Sequence, residues 1–154
     1  MKEEKLVVVD TSLALKWLVY EVDSPLAQTL LAKWAVQSFV ILAPYLLVYE
    51  ITNSLYKKVR RAEIASSTAV NALNNLVSTG LTFDDTSDEK LCVKALDFAQ
   101  QFKLPATYDA HYLALAEREQ CEFWTADERL YNSVKEHLSW VRLMSDLASV
   151  SVAD

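Results

Sequence analysis

Four acidic residues stand at positions where a carboxylate can do chemistry. Asp10 follows Leu6-Val7-Val8-Val9 directly, and Asp127 follows Phe123-Trp124-Thr125-Ala126 in the same way. Asp109 opens a helical stretch in Thr107-Tyr108-Asp109-Ala110, and Glu50 intrudes among Leu47, Val48, Ile51 and Leu55. Each has a purely structural reading. Asp10 and Asp127 can cap helices, Asp109 can complement a helix dipole, and Glu50 can be a paired or edge-exposed carboxylate. Together they imply more. Carboxylates that converge with no lysine or arginine beside them repel one another, and their protonation constants rise unless a cation neutralises them. Oxygen-only ligands suit hard ions, so Mg²⁺ or Mn²⁺ is the expected cofactor. Such ions activate water and stabilise a phosphoryl transition state. A pair of them roughly 3.5–4 Å apart clamps both the attacking and the leaving oxygen.

The elements that position these acids follow from the pattern of apolar residues. Leu6 to Val9 reads as a buried parallel strand. A short helix from Leu13 to Tyr20 follows. A second helix is capped by Ser24, has Pro25 at its first position and runs to about Val36. Phe39 to Leu42 is the next strand, ended by Ala43-Pro44, and a long helix spans Tyr45 to about Arg60. Glu63 to Ser78 is helical, with Ala69, Leu73, Leu76 and Val77 on its apolar side and Gly80 closing it. Leu81 to Phe83 is a short strand. Helices over Ser87 to about Lys103 and Thr107 to Gln120 lead to a strand at Phe123 to Thr125, a helix from Asp127 to His137 and a last strand at Trp140 to Leu143. Short apolar strands alternating with helices predict a three-layer α/β/α sandwich on a central, mainly parallel sheet, with all 154 residues in a single domain. Ligands bind such sheets beyond the carboxyl ends of the strands, where Asp10 and Asp127 fall.

Composition narrows the function classes. One glycine, three prolines and 52% hydrophobic residues exclude a disordered or loop-rich chain. Cys92 and Cys121 match no zinc spacing and are expected to be buried free thiols of a reducing cytosol. The apolar stretch after Met1-Lys2-Glu3-Glu4-Lys5 is too short for a signal peptide, and no run approaches the roughly 20 residues of a membrane span. The expectation is a soluble cytoplasmic protein. A net charge of −6 disfavours nucleic acid unless bound cations reverse the local sign. With Gly80 the only glycine, P-loop and dinucleotide-binding readings fail.

Four separated segments carry a resemblance. They are Val7-Val8-Val9-Asp10-Thr11-Ser12, then Ala43-Pro44 with Glu50 and Asn53, then Tyr108-Asp109-Ala110-His111-Tyr112-Leu113-Ala114-Leu115-Ala116, then Thr125-Ala126-Asp127-Glu128-Arg129-Leu130. In these segments the sequence resembles the PIN-domain nucleases, and specifically VapC-type toxin ribonucleases, from about Leu6 to Leu143. The resemblance implies a metal-dependent endoribonuclease acting on single-stranded or structured RNA, with Asp10, Glu50, Asp109 and Asp127 as the acidic cluster. Thr125 matches a frequent hydroxyl position near the metals. Thr11 and Ser12 are candidates to support Asp10, and Asn53 lies one turn beyond Glu50; core or capping roles remain open for these three. The resemblance also implies a homodimer and a small VapB-like antitoxin as partner.

Two other classes stay in view: a PIN-domain nuclease of RNA processing or DNA repair with no antitoxin, and a catalytically silent PIN-like binding module. A short neighbouring reading frame with a DNA-binding N-terminus separates the toxin from the former, and the intact set of acids argues against the latter. The basic run Lys57-Lys58-Val59-Arg60-Arg61 can contact phosphate or an acidic partner, but reads first as a solvated helix end, where cations are favourable. His111 and His137 share no catalytic spacing. The apolar residues between Tyr45 and Ser78 are expected to form a homodimer face, an antitoxin groove or both.

Overall fold

Val7, Val8 and Val9 are β-branched and almost wholly buried, which suits the central strand of a sheet covered on both faces. In the computed structural model, which describes residues 3–86 and 88–147, they form β1 (Leu6–Val9). β2 (Val40–Pro44) and β4 (Glu122–Thr125) flank it, and β3 (Leu81–Asp84) and β5 (Val141–Leu143) form the edges. The order is β3-β2-β1-β4-β5, and every neighbouring pair is parallel. Val8 lies opposite Leu42 on one side, and Val9 opposite Trp124 on the other.

Parallel strands need crossover connections, here α1 (Thr11–Leu18), α2 (Ser24–Val36), α3 (Leu46–Arg60), α4 (Ser66–Asn75), α5 (Glu89–Gln101), α6 (Tyr108–Glu119) and α7 (Glu128–Val134). The strand order runs outward from β1 to β3 and then returns to β4 on the far side of β1. Right-handed crossovers therefore put α1 to α4 on one face and α5 to α7 on the other. This is the expected three-layer sandwich. α6 is apolar around most of its circumference, with Ala110, Tyr112, Leu113, Ala114, Leu115 and Ala116 all buried. It lies between α5 and strands β1, β2 and β4.

The differences from expectation have local causes. α1 begins at Thr11, because Asp10 itself caps it, and ends at Leu18. α2 begins one residue early, with Asp23 at the cap position. Ser24 Oγ instead accepts the Glu21 N–H at 2.8 Å, and Asp23 pairs with Lys16 at 2.8 Å. Phe39 lies outside β2: its N–H closes α2 on the Trp34 carbonyl at 2.9 Å, with Ser38 in the left-handed region. β2 runs on through Pro44, whose missing N–H matters little at a strand's last residue. The helix expected over Glu63 to Ser78 is shorter. α4 gives way to a tighter 3₁₀ turn at Val77–Thr79, which rotates Val77 out to solvent. Gly80 closes that turn at φ +81, as expected. The start of a helix at Ser87 lies outside the described residues, and Asp88 caps α5 through the Lys90 N–H. The cysteines are free but not buried: Cys92 is exposed on the outer side of α5, and Cys121 is half-buried. Among the described residues no helix is long and apolar enough to cross a membrane.

Candidate active site

β1 and β4 are the neighbours between which the strand order reverses, and Asp10 and Asp127 follow their carboxyl ends. Asp10 is 4% exposed. Its Oδ1 accepts from Ser12 Oγ at 2.6 Å and from the Leu13 N–H at 3.2 Å, and its Oδ2 accepts from Thr125 Oγ1 at 2.5 Å. The two hydroxyls are themselves receivers. Ser12 Oγ accepts the Ala126 N–H at 2.9 Å, and Thr125 Oγ1 accepts the Asp127 N–H at 3.0 Å. A hydroxyl has one proton to give, so both protons go to Asp10. Burial nevertheless outweighs these donors and pushes the Asp10 carboxyl up to about 7, with the charge of Asp109 adding to the rise.

Glu50 is presented differently. Leu47, Ile51 and Leu55 bury one stripe of α3, and Glu50 sits at its margin, half-buried. Its Oε1 accepts from the Tyr112 hydroxyl at 2.5 Å and from Thr11 Oγ1 at 3.2 Å, and these two hydroxyls are 3.1 Å apart. Burial, and then the charge of Glu50, hold the Tyr112 hydroxyl far above its ordinary range, so it is a permanent donor. Asp109, in the first turn of α6, is raised by burial, by Glu50 and by Asp127. Asp127 caps α7: its Oδ1 accepts the N–H groups of Arg129 and Leu130 at 2.9 and 3.2 Å. Asp109 and Asp127 line one cleft of about 510 Å³.

Asp109 is the acid that links the others by charge. Asp109 feels Glu50 and Asp127, and Asp10 feels Asp109. The ion pairs among the described residues involve none of the four.

Residues 7–135 match the model of the PIN domain family. The chain belongs to the PIN domain family. PIN domains are generally metal-dependent nucleases. The crystal structure of PAE2754 from Pyrobaculum aerophilum superposes on this PIN domain with a TM-score of 0.66, covering 99% of this chain and 100% of that one. At 22% identity the likeness is one of fold. No curated protein matches the sequence.

The donor set of this PIN domain fits a hard divalent cation in chemistry: oxygen ligands only, Asp10 and Asp109 raised by burial and by neighbouring acids, and no ion pair to any of the four among the described residues. As placed, the side chains do not form a ready cage. Among the described residues no three His, Cys, Asp or Glu side chains are grouped to hold a metal ion. Hydroxyl and amide donors already occupy oxygens of three of the acids: Thr125 of β4 holds Asp10, Tyr112 of α6 holds Glu50, and the Arg129 N–H of α7 holds Asp127.

Of the supporting residues expected from sequence, Ser12 and Thr125 bind Asp10, whereas Thr11 turns to Glu50. Asn53 is exposed and makes no hydrogen bond to any of the four acids among the described residues. His111 is occupied with its own helix, its Nδ1 lying 2.8 Å from the Thr107 carbonyl. The role of Tyr112 went unread. Two signals pointed to it: a tyrosine within an otherwise apolar helix needs a partner for its hydroxyl, and Glu50 among leucines needs a donor.

Proposed function

We propose that this PIN domain is a Mg²⁺- or Mn²⁺-dependent endoribonuclease, the toxin of a VapBC-type pair, acting on RNA in the cytoplasm. The observation that carries the reading is the coupling of Asp10, Glu50, Asp109 and Asp127 at the switch point of the sheet. There the carboxyls of Asp10 and Asp109 are raised, and among the described residues neither enters an ion pair. A divalent ion held there supplies water activation and charge stabilisation at the scissile phosphate.

The chain's own residues do the rest. Asp10, Glu50, Asp109 and Asp127 supply the ligand oxygens. Ser12 and Thr125 hold both oxygens of Asp10, and Tyr112 with Thr11 fixes one oxygen of Glu50. A route through the 2′-hydroxyl needs a general base and a general acid. His111 is bound to its own helix, and His137 packs its ring on Phe102, so the two histidines form no such pair. The products are therefore expected to carry a 5′-phosphate and a 3′-hydroxyl. Labelled cellular RNAs incubated with the protein test this. EDTA should stop cleavage, and Mg²⁺ or Mn²⁺ should restore it. Products ending in 2′,3′-cyclic phosphate and formed in EDTA would overturn the reading.

The partner reading draws support from the open face of α3 and α4. Tyr45, Tyr49, Tyr56, Val70 and Val77 are all more than half exposed. An apolar surface of this kind fits a homodimer contact or the seat of a VapB-like antitoxin. Light scattering should show a dimer at micromolar concentration. Growth arrest on expression, relieved by the neighbouring reading frame, is the outcome expected of a toxin.

A further inference from the structure

The cleft that Asp109 and Asp127 share is also lined by Lys103, Leu104, Pro105, Arg129, Leu130 and Ser133. Its two cations are exposed, and neither enters an ion pair among the described residues. Lys16, Lys58, Lys94, Arg118 and Arg142 each lie against a carboxylate, whereas Lys33, Lys57, Arg60 and Lys90 share the lack of an ion pair among the described residues but line no cleft with the candidate acids. Lys103 and Arg129 come from separate elements. Lys103 follows the end of α5 and Arg129 lies in the first turn of α7, so the fold rather than a local charge run brings them to one cleft.

We propose that Lys103 and Arg129 hold the phosphodiester backbone of single-stranded RNA beside the scissile bond, making this cleft the arm of the substrate site for flanking nucleotides. The inference rests on the nuclease reading above. The acids repel a polyanion, and a cation held among them would offset charge only at the scissile phosphate. Flanking phosphates need positive charge of their own, and these two residues are the cations that line the cleft. At about 510 Å³ the cleft has room for a nucleotide-sized group, and Leu104, Pro105 and Leu130 give it an apolar wall.

The backbone supplies a clean test. Lys103 adopts φ +54, and the Leu104 N–H donates to the Ala99 carbonyl at 2.9 Å, so the lysine holds the place glycine prefers after a helix. Lys103→Gly therefore removes the ammonium group without loss of fold. In an Asp10→Asn background, binding of a short fluorescein-labelled single-stranded RNA is measured by anisotropy over a range of KCl concentrations. The variants compared are Lys103→Gly, Arg129→Gln, the pair, and Lys90→Gln at the exposed start of α5 as a control. The pair should weaken binding roughly tenfold and lower the salt slope by about 1.4, near 0.7 for each phosphate no longer neutralised. The control should change neither. Unchanged affinity and slope in the pair, at an unchanged melting temperature, would overturn the subsite and leave the nuclease reading standing. No binding by the parent, with no cleavage by the wild type, would remove both. Binding of polyglutamate lost in the pair, with RNA binding intact, would assign the cleft to an acidic protein instead.

Discussion

Asp10 and Glu50 belong to one acidic site but are held by opposite means. Asp10 stands at a strand end, almost fully buried, with both oxygens engaged and two of its three donors within three residues along the chain. Glu50 stands on a helix, half-buried, and its hydrogen bonds reach Oε1 alone, from residues of two other elements. Turning Asp10 breaks the cap of α1 and the link to β4. Turning Glu50 breaks its bonds with two hydroxyls and leaves the backbone as it was. The strand-end acid is part of the fold, and the helix acid is an adjustable side chain mounted on it.

Substitution at Asp10 should give the largest effect. Asp10→Asn should abolish cleavage, a loss of several orders of magnitude measured on labelled RNA, while the asparagine still caps α1. Stability should move the other way. The Asp10 carboxyl lies at about 7 in the fold against 3.8 in the unfolded chain. The native state therefore binds the extra proton between those values, and metal-free stability falls as pH rises from about 4 to 7. A rise from 3.8 to about 7 corresponds to roughly 4 kcal/mol, present below pH 4 and lost above pH 7. Denaturation of the metal-free protein at pH 5 and pH 8 should show this slope, and Asp10→Asn should flatten it. A steep fall in melting temperature at pH 8 for Asp10→Asn would break the comparison by making the charge itself structural.

Thr125→Val should come next. It removes a donor from Asp10 and orphans the Asp127 N–H, at a cost of about 2–3 kcal/mol in chemical denaturation. Tyr112→Phe sharpens the contrast. Glu50 keeps Thr11, so the loss should be about 1–1.5 kcal/mol, together with weaker Mn²⁺ binding in calorimetry. A larger loss than that of Thr125→Val would show that Glu50 is as deeply built in as Asp10. Thr11→Val should be the mildest, below about 1 kcal/mol, because Tyr112 remains on Glu50.

The strand-end acids were legible because a β-branched run that stops at an aspartate announces both its strand and the place where that strand ends. Asp10 and Asp127 proved to be caps as well as candidate ligands, so the structural and chemical readings were never exclusive. The sheet and the helix faces were legible for the same reason, as local periodicity. The pairing of Tyr112 with Glu50, 62 residues apart, was not. It depends on how α6 docks across the sheet, and no window of sequence contains that. Thr11 was misassigned to Asp10 because adjacency in sequence is not contact. In the first turn of α1 the hydroxyl of Ser12 returns to the cap, and that of Thr11, one residue earlier, faces α3 and α6. Val77 faces inward only on an unbroken helix, which the tighter turn after α4 interrupts.

The amides of Ala126 and Asp127 give their protons to two hydroxyls whose own protons are committed to Asp10. The turn between β4 and α7 is therefore strapped down by a carboxylate from another strand, and its hydrogen exchange becomes a clock for the state of that carboxylate. Protonating Asp10 frees the hydroxyls to rotate, loosens the strap and speeds exchange at both amides, whereas a cation drawn to Asp10 keeps it ionised and slows them. Two amide signals in a loop thus read the charge of a buried acid with no substrate present.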